Sequence, residues 1–355
     1  MQSFESVQQA VRQSTKTWLV TGAAGFIGSH LVEHLILLDQ RVIGIDNFSS
    51  SGMERLNSIR GRVGSSRYAE SFELVEGDIC DFNRCLSVCS DVDYVLHQAA
   101  MASVPRSLES PLKSHGSNVT GSLNLMWASV QKDVKRFVFA SSSAVYGDHP
   151  ELPNIEENIG RPLSPYALDK YICELYAYNF FESHQLETIG LRYFNVFGPG
   201  QSMQGDYAAV IPSFVRGVLQ DRPLQIYGDG CASRDFCYVD NVVQANLLSA
   251  ITASRQSLGQ VFNVSSAERV TVLELYETIR DYFAAKHPQK HIAPPLHLEP
   301  RLAEVRHSFA NISKIVDSLG YCPSHSFAQG LGLTIDSCLQ QQGGADNPGL
   351  SLNCG

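Results

Sequence analysis

Trp18-Leu19-Val20-Thr21-Gly22-Ala23-Ala24-Gly25-Phe26-Ile27-Gly28 is the stretch on which the fold turns. A short apolar run, three closely spaced glycines and an apolar-periodic segment from Phe26 to Leu38 read as a strand, a tight turn and a helix. Gly22 permits the turn. Gly25 lets backbone approach a pyrophosphate, and Gly28 lets the helix pack close to the sheet. The N–H groups at the helix start then face the anion. Three glycines alone carry little information; the strand before them and the helix after them supply the context of a dinucleotide turn. Asp46 ends the next strand, 18 residues after Gly28. A carboxylate there accepts hydrogen bonds from ribose hydroxyls and repels a 2′-phosphate, which favours NAD over NADP. Asp78, after the third strand, suits an adenine-edge contact or the cap of the next helix.

Outward from this turn the same pattern repeats. Arg41 to Ile45, Phe72 to Val75, Asp93 to His97, Phe137 to Ala140 and Thr188 to Arg192 read as further buried strands. They alternate with helical stretches, including a long one from Lys113 to Val130. Buried strands alternating with helices predict an α/β fold with a doubly wound parallel sheet. After about residue 196 the alternation breaks and Gly and Pro become frequent, as in Gly198-Pro199-Gly200 and Pro294-Pro295. This half reads as a smaller, less regular lobe, from which Val261 to Val264 returns to the main sheet. The expected organisation is an N-terminal arm over 1–16, with Phe4, Val7 and Val11 on one side. A dinucleotide domain follows over 17–195, with returns near 235–265, then a second lobe over 196–340 and a mobile tail over 341–355.

The chain has 355 residues, 44% hydrophobic and 18% charged, with a formal net charge of −9. That is a globular composition, and the acidic balance argues against nucleic acid as a partner. No apolar run approaches the ~20 residues of a membrane span. Met1 to Thr17 lack an apolar core, so no secretory signal is expected. Nine cysteines, without a Cys-x-x-Cys pair, read as reduced thiols in a cytoplasmic protein rather than as disulfides or a metal site.

Ser164-Pro165 reads as a helix start, serine as cap and proline in the first turn. Tyr166 and Lys170 then share one helix face. A phenol is a poor base near neutrality, and an ammonium beside one favours its phenolate. Such a tyrosine becomes a usable proton acceptor for a sugar hydroxyl. Ser141-Ser142-Ser143 ends the fifth strand, at the sheet edge where α/β folds bind ligands, and a hydroxyl there can relay a proton or hold the reacting oxygen.

Together these blocks resemble the extended short-chain dehydrogenase/reductases, specifically the nucleotide-sugar 4-epimerases, from about Lys16 to about Leu339. The matching segments are Thr21–Gly28, Ser141–Gly147, Tyr166–Lys170, Arg192–Gly198 and Ser233–Phe236. Val104–Ser107, Tyr146–Pro150 and Val305–Ser308 are similar to the bacterial UDP-N-acetylglucosamine 4-epimerases in particular. The resemblance implies a Rossmann-type domain with a smaller α/β substrate-binding lobe, and a homodimer joined by two helices from each subunit. It implies tightly bound NAD, held by Gly22, Gly25, Phe26, Ile27 and Gly28, then Asp46, Asn47, Asp78 and Ile79, then Gln98, Ala99, Tyr166, Lys170 and Tyr193. Counting four residues back from Tyr146 places the relay serine at Ser142. Tyr166 then takes the C4 proton with help from Ser142, NAD takes the C4 hydride, and the 4-keto sugar turns over and receives both back.

The same resemblance places Asn195 on the diphosphate–sugar region, Ala209 and Val210 beside the nucleotide, Gln225 and Tyr227 near the uracil, and Arg234 and Arg301 on the diphosphate. Ser308 replaces a bulky aromatic and leaves room for a 2-acetamido group. Ser103 and Ser143 supply hydroxyls toward the acetamido or uronate end. The chain departs from the family's Arg-x-Gly-Asp at Arg301-Leu302-Ala303-Glu304, where Glu304 stands for the aspartate that grips ribose hydroxyls. A 4,6-dehydratase would need Asp-Glu directly after the relay serine, and this chain has Ser143-Ala144 there. The alternatives are a UDP-uronic-acid 4-epimerase on the same chemistry, a uronate decarboxylase or another nucleotide-sugar-modifying member of the family and, in another class, a non-catalytic NAD-binding regulator, which would not need the Ser–Tyr–Lys set.

Overall fold

Thirteen strands occur in the computed structural model, which describes residues 4–202, 209–290, 292–299 and 306–345. They are β1 (Thr17–Thr21), β2 (Arg41–Asp46), β3 (Phe72–Glu76), β4 (Tyr94–His97), β5 (Arg136–Ser142), β6 (Glu187–Tyr193), β7 (Val196–Phe197), β8 (Gln225–Tyr227), β9 (Ser233–Asp235), β10 (Cys237–Tyr238), β11 (Gln260–Val264), β12 (Arg269–Thr271) and β13 (Leu296–Leu298). Seven form one parallel sheet in the order β11-β6-β5-β4-β1-β2-β3. From β1 the chain runs outward to β2 and β3, then crosses back to β4 on the other side. The carboxyl ends of β1 and β4 therefore flank the crevice where such sheets bind ligands. Val261 to Val264 does return to this sheet, as part of β11 beside β6.

Alternation along the strands feeds two cores. Trp18 and Val20 of β1 face one side and Leu19 the other, as the two-residue period of a strand requires. On the first face Leu31 and Leu35 of the helix Phe26–Leu37 pack with Val242 and Leu247 of the helix Val239–Ile251. Val7 and Val11 of the N-terminal helix Phe4–Arg12 join them, so the arm is anchored by its apolar stripe. On the second face lie Leu125 and Met126 of the helix Gly121–Gln131 and Cys173 and Phe180 of the helix Pro165–His184. Each fully buried Leu or Phe contributes about 1.5–3 kcal/mol.

Two expectations need correction. The stretch read as one regular helix from Lys113 is helical from Pro111 to Gln131, but one π turn, Gly116–Thr120, interrupts it. The boundary expected between lobe and tail, after residue 340, falls inside the helix Phe327–Ala345. Phe327, Leu331, Ile335 and Cys338 bury one face of that helix against the second lobe and carry it past the expected boundary.

The second lobe has its own core, in which Ile211, Phe214 and Val215 of the helix Val210–Leu219 meet Leu275, Ile279 and Phe283 of the helix Val272–Lys286. Thr271 and Glu274 close a capping box at the start of the latter helix. Among the described residues the strands here form two-stranded sheets, β10 with β7, β12 with β9 and β13 with β8, and Ser233 of β9 also bridges to His307. Among the described residues no helix is long and apolar enough to cross a membrane.

Candidate active site

A cleft of about 600 Å³ opens at the carboxyl ends of β1, β2, β4, β5 and β6. Its floor is the glycine turn. Gly22 has φ +65°, and a Cβ there would meet the Ala99 backbone at 2.9 Å. A Cβ on Gly28 would lie 2.1 Å from the Gly22 carbonyl oxygen, so only glycine lets the helix start this close to the strand. Gly25 precedes that helix without a side-chain cap, and its first turn holds no acidic residue. The end of the helix therefore presents unpaired N–H groups and partial positive charge.

Asp46, 8% exposed, sits at the end of β2. Its carboxylate accepts from the Ala24 N–H at 2.9 Å and the Phe48 N–H at 2.8 Å, which fixes it at the rim.

Between β1 and β4 the hydrogen-bond directions can be assigned. The Ser122 hydroxyl donates to the Asn118 carbonyl. It therefore accepts from His97 Nε2, 2.8 Å away. His97 Nδ1 is left to accept from the Thr21 hydroxyl at 2.7 Å. Thr21 Oγ1 in turn accepts from the N–H groups of Gln98 and Ala99, each at 3.1 Å. Complete burial, with the Lys170 charge adding to it, pushes the His97 pKa down to about 3, so the ring is neutral.

Ser142 ends β5 and accepts from the Ala144 N–H at 3.1 Å. Ser164 caps the helix Pro165–His184 by accepting from the Ala167 N–H at 3.2 Å, with Pro165 in the first turn. Tyr166 follows, its N–H donating to Ser107 Oγ at 3.2 Å. Lys170, one turn on and 4% exposed, donates from Nζ to the Ala140 carbonyl at 2.8 Å. Behind them Glu174 receives two N–H groups of Arg192, at 2.9 and 2.7 Å, and the Ser141 hydroxyl. This buried fork pins the tyrosine helix to β6 and β5; removing one partner of such a pair costs about 3–5 kcal/mol.

The cleft brings together most of the expected residues. Gly22, Gly25, Phe26, Ile27, Gly28, Asp46, Asn47, Ile79, Gln98, Ala99, Tyr166, Lys170 and Tyr193 line it, as do Ser142, Ser143, Asn195 and Ala209. Asp78 lies just outside the lining, accepting from Asn47 Nδ2 at 2.9 Å and the Cys80 N–H at 2.8 Å. The helix cap considered for it falls instead to Asp81. Ser103 caps the helix Val104–Glu109 and does not line the cleft. Val210, Gln225, Tyr227, Arg234 and Ser308 belong to the second lobe outside the lining. Arg301 and Glu304, with Ala303, lie outside the described residues. Residues that sequence reasoning did not single out also line the cleft: Ser49 to Ser51, Arg55, Ser117 and Gln201. None belongs to a spaced motif, so no sequence signal marked them.

On the second lobe Asp235 is fully buried on β9 and accepts from the Ala310 N–H at 3.1 Å. Together with the Ser308 N–H bond to the Ser233 carbonyl, 3.1 Å, it holds the segment carrying Ser308 against β9. Burial pushes the Asp235 pKa up to about 7; hydrogen bonds, the Ala310 amide first, oppose the shift without cancelling it.

The glycine turn, uncapped helix start and carboxylate of Asp46 suit the diphosphate and diol of a dinucleotide, and the cleft continues from them to Ser142, Tyr166 and Lys170. NAD therefore fits the residues present.

Comparisons with known proteins agree with this geometry. The sequence model of the NAD dependent epimerase/dehydratase family matches residues 18–265. A UDP-N-acetylglucosamine 4-epimerase from Methanobrevibacter ruminantium, solved in complex with UDP-N-acetylmuramic acid, superposes with a TM-score of 0.83 at 39% identity, over 92% of this chain and 99% of that one. The UDP-glucose 4-epimerase of Mycolicibacterium smegmatis is 33% identical over 320 residues, 90% of this chain and 97% of that protein. The UDP-glucuronate 4-epimerase of Thermodesulfobacterium geofontis is 30% identical over 323 residues, 90% and 95% respectively.

Proposed function

The chain belongs to the NAD-dependent epimerase/dehydratase family, and we propose that it is a UDP-sugar 4-epimerase whose preferred pair is UDP-N-acetylglucosamine and UDP-N-acetylgalactosamine. The observation that carries this reading is the gathering of Ser142, Tyr166 and Lys170 at the end of one cleft whose other end is built for a dinucleotide. The preference for the acetylated sugar rests on Ser308, a small residue at the position where a bulky aromatic would narrow the sugar pocket, and 39% identity to a UDP-N-acetylglucosamine 4-epimerase supports it.

The glycine turn, Asp46, Asn47, Ile79, Gln98, Ala99 and Tyr193 hold NAD, which supplies the hydride acceptor and donor at C4. Tyr166 accepts the proton of the C4 hydroxyl and later returns it. Ser142 holds that oxygen while the proton moves. Lys170, its Nζ fixed by the Ala140 carbonyl, stands one helical turn from Tyr166 on the same face and places a positive charge at that end of the cleft. Asn195 and Arg234 grip the diphosphate, Arg234 by the forked geometry that suits phosphate oxygens. Gln225 and Tyr227 sit toward the uracil and Val210 beside the nucleotide. Ser143, in the cleft lining, supplies a hydroxyl toward the 2-acetamido or C6 end. With no carboxylic acid at 143–144, nothing beside Ser142 supplies the acid and base of a water loss.

Two adjoining surfaces support a homodimer. Leu168, Leu175 and Tyr178 stand exposed on the tyrosine helix, and Leu108 and Leu112 on the helices packed beside it. Leu168 and Leu175 are two helical turns apart, so they share a face that a second copy would cover.

The deciding assay incubates the purified protein, without added NAD, with a panel of UDP-sugars and follows C4 inversion by NMR. Inversion of UDP-N-acetylglucosamine ahead of UDP-glucose and UDP-glucuronate is the expected outcome. Preferential inversion of a uronate, as in the related uronate epimerase, would replace the substrate assignment; unchanged stereochemistry throughout would remove the activity.

A further inference from the structure

Arg55 belongs to no motif, yet its guanidinium lines the cofactor end of the cleft. It stands half-buried on the second residue of the helix Glu54–Val63. Nε donates to the Gly200 carbonyl at 2.8 Å and Nη1 to the Ala24 carbonyl at 3.2 Å. Ala24 lies within the glycine turn. Gly200 lies in the loop that leads from β7 toward the second lobe, 145 residues away in sequence. The neighbouring carbonyl of that loop, Pro199, is tied down as well, by His30 Nε2 at 2.9 Å. A carbonyl only accepts, so Nε2 carries the hydrogen. Two side chains of the dinucleotide domain thus hold consecutive carbonyls of one loop beside the phosphate turn. The loop sits tightly there, for a Cβ on Gly198 would lie 2.6 Å from Val239.

Charge makes this more than a structural tie. Both recorded bonds of Arg55 go to neutral carbonyls, and its acidic neighbours Glu54 and Asp46 act only at a distance. No hydrogen bond from Nη2 occurs among the described residues. Asp46 directs its oxygens to the Ala24 and Phe48 N–H groups and to the Ser51 hydroxyl. A guanidinium stays charged at any ordinary pH, and partial burial without a counter-ion costs free energy until an anion arrives. The adjacent surface is the helix start with no capping side chain and no acidic residue.

We propose that Arg55 is a cofactor-retaining residue: it supplies counter-charge to the diphosphate of the dinucleotide and, through Gly200, straps the loop 198–201 beside the cleft so that the cofactor stays between turnovers. This rests on the family's use of NAD and is independent of which sugar is epimerised.

The test compares wild type, Arg55→Met and Arg55→Lys as purified. Bound NAD is quantified after acid release, and the rate of NAD loss into a large excess of buffer is followed at low and high salt. Wild type should keep its NAD. Arg55→Met should lose it about tenfold faster or more, the scale of one charge-assisted contact, with a weaker salt dependence. Arg55→Lys keeps the charge without the two-carbonyl bridge and should fall between. Melting curves establish that each variant is folded; should Arg55→Met not fold, the lysine variant decides. Arg55→Met releasing NAD at the wild-type rate would overturn the proposal, and Arg55→Lys matching wild type would overturn the strap.

Discussion

Replacing Asp235 by asparagine should change the shape of the stability-versus-pH curve. The carboxyl is fully buried on β9, takes the Ala310 N–H, and forms no ion pair among the described residues. Burial moves it from an ordinary 3.8 up to about 7. Because the folded value lies above the unfolded one, the folded state holds the proton more tightly. The contribution is fully favourable below pH ~4, is lost as pH rises toward ~7, and is flat above that. Three pH units of displacement correspond to roughly 4 kcal/mol in total, of which about 2–3 kcal/mol falls between pH ~5 and pH ~8. Asparagine keeps a carbonyl oxygen for Ala310 and cannot ionise. The assay is denaturant unfolding of both proteins with NAD saturating, at several pH values across that window. The wild type should lose stability relative to Asp235→Asn as pH rises, by that amount. A difference between the two curves that stays constant from pH ~5 to pH ~8 would refute the reasoning, whatever its absolute size.

Three further outcomes are expected. Tyr166→Phe should lower kcat at least about a hundredfold while the purified protein keeps wild-type NAD content, since only the proton acceptor is removed; near-normal turnover would deny the tyrosine its role. Ser308→Tyr should lower kcat/KM for UDP-N-acetylglucosamine about ten- to hundredfold more than for UDP-glucose, and an equal loss on both would remove the pocket-size argument. Leu175→Glu should shift the sedimentation of the protein to that of a monomer, because a charge would be buried at the centre of the shared helix face; an unchanged dimer would put the interface elsewhere.

The sheet was legible because its strands are buried on both faces and read as continuous apolar runs, as in Trp18–Val20 and Phe137–Phe139. The glycine turn, Asp46, Ser142, Tyr166 and Lys170 were legible because each depends on short-range spacing beside a recognisable element. What escaped was long-range. Arg55 meets Gly200 across 145 positions, and nothing local distinguishes it from a solvent-facing arginine on a polar helix. Glu174 and Arg192 find each other only once the helix Pro165–His184 lies on β6. The π turn Gly116–Thr120 has no apolar signature of its own, because its side chains Asn118 and Val119 are buried as an ordinary helix would bury them. In the second lobe, strands of two or three residues are too short for any period to show.

The chain of bonds from Asn118 through Ser122, His97 and Thr21 to the amides of Gln98 and Ala99 bears on how kinetic data from this protein are to be interpreted. An imidazole locked in one tautomer, with a pKa near 3, takes up no proton anywhere that rates are ordinarily recorded. An inflection near neutrality in a rate profile therefore belongs to some other ionisation, and histidine at position 97 is not its source. The amides of Gln98 and Ala99 that line the cleft therefore rest on a hydroxyl and a ring whose charge does not change over that range.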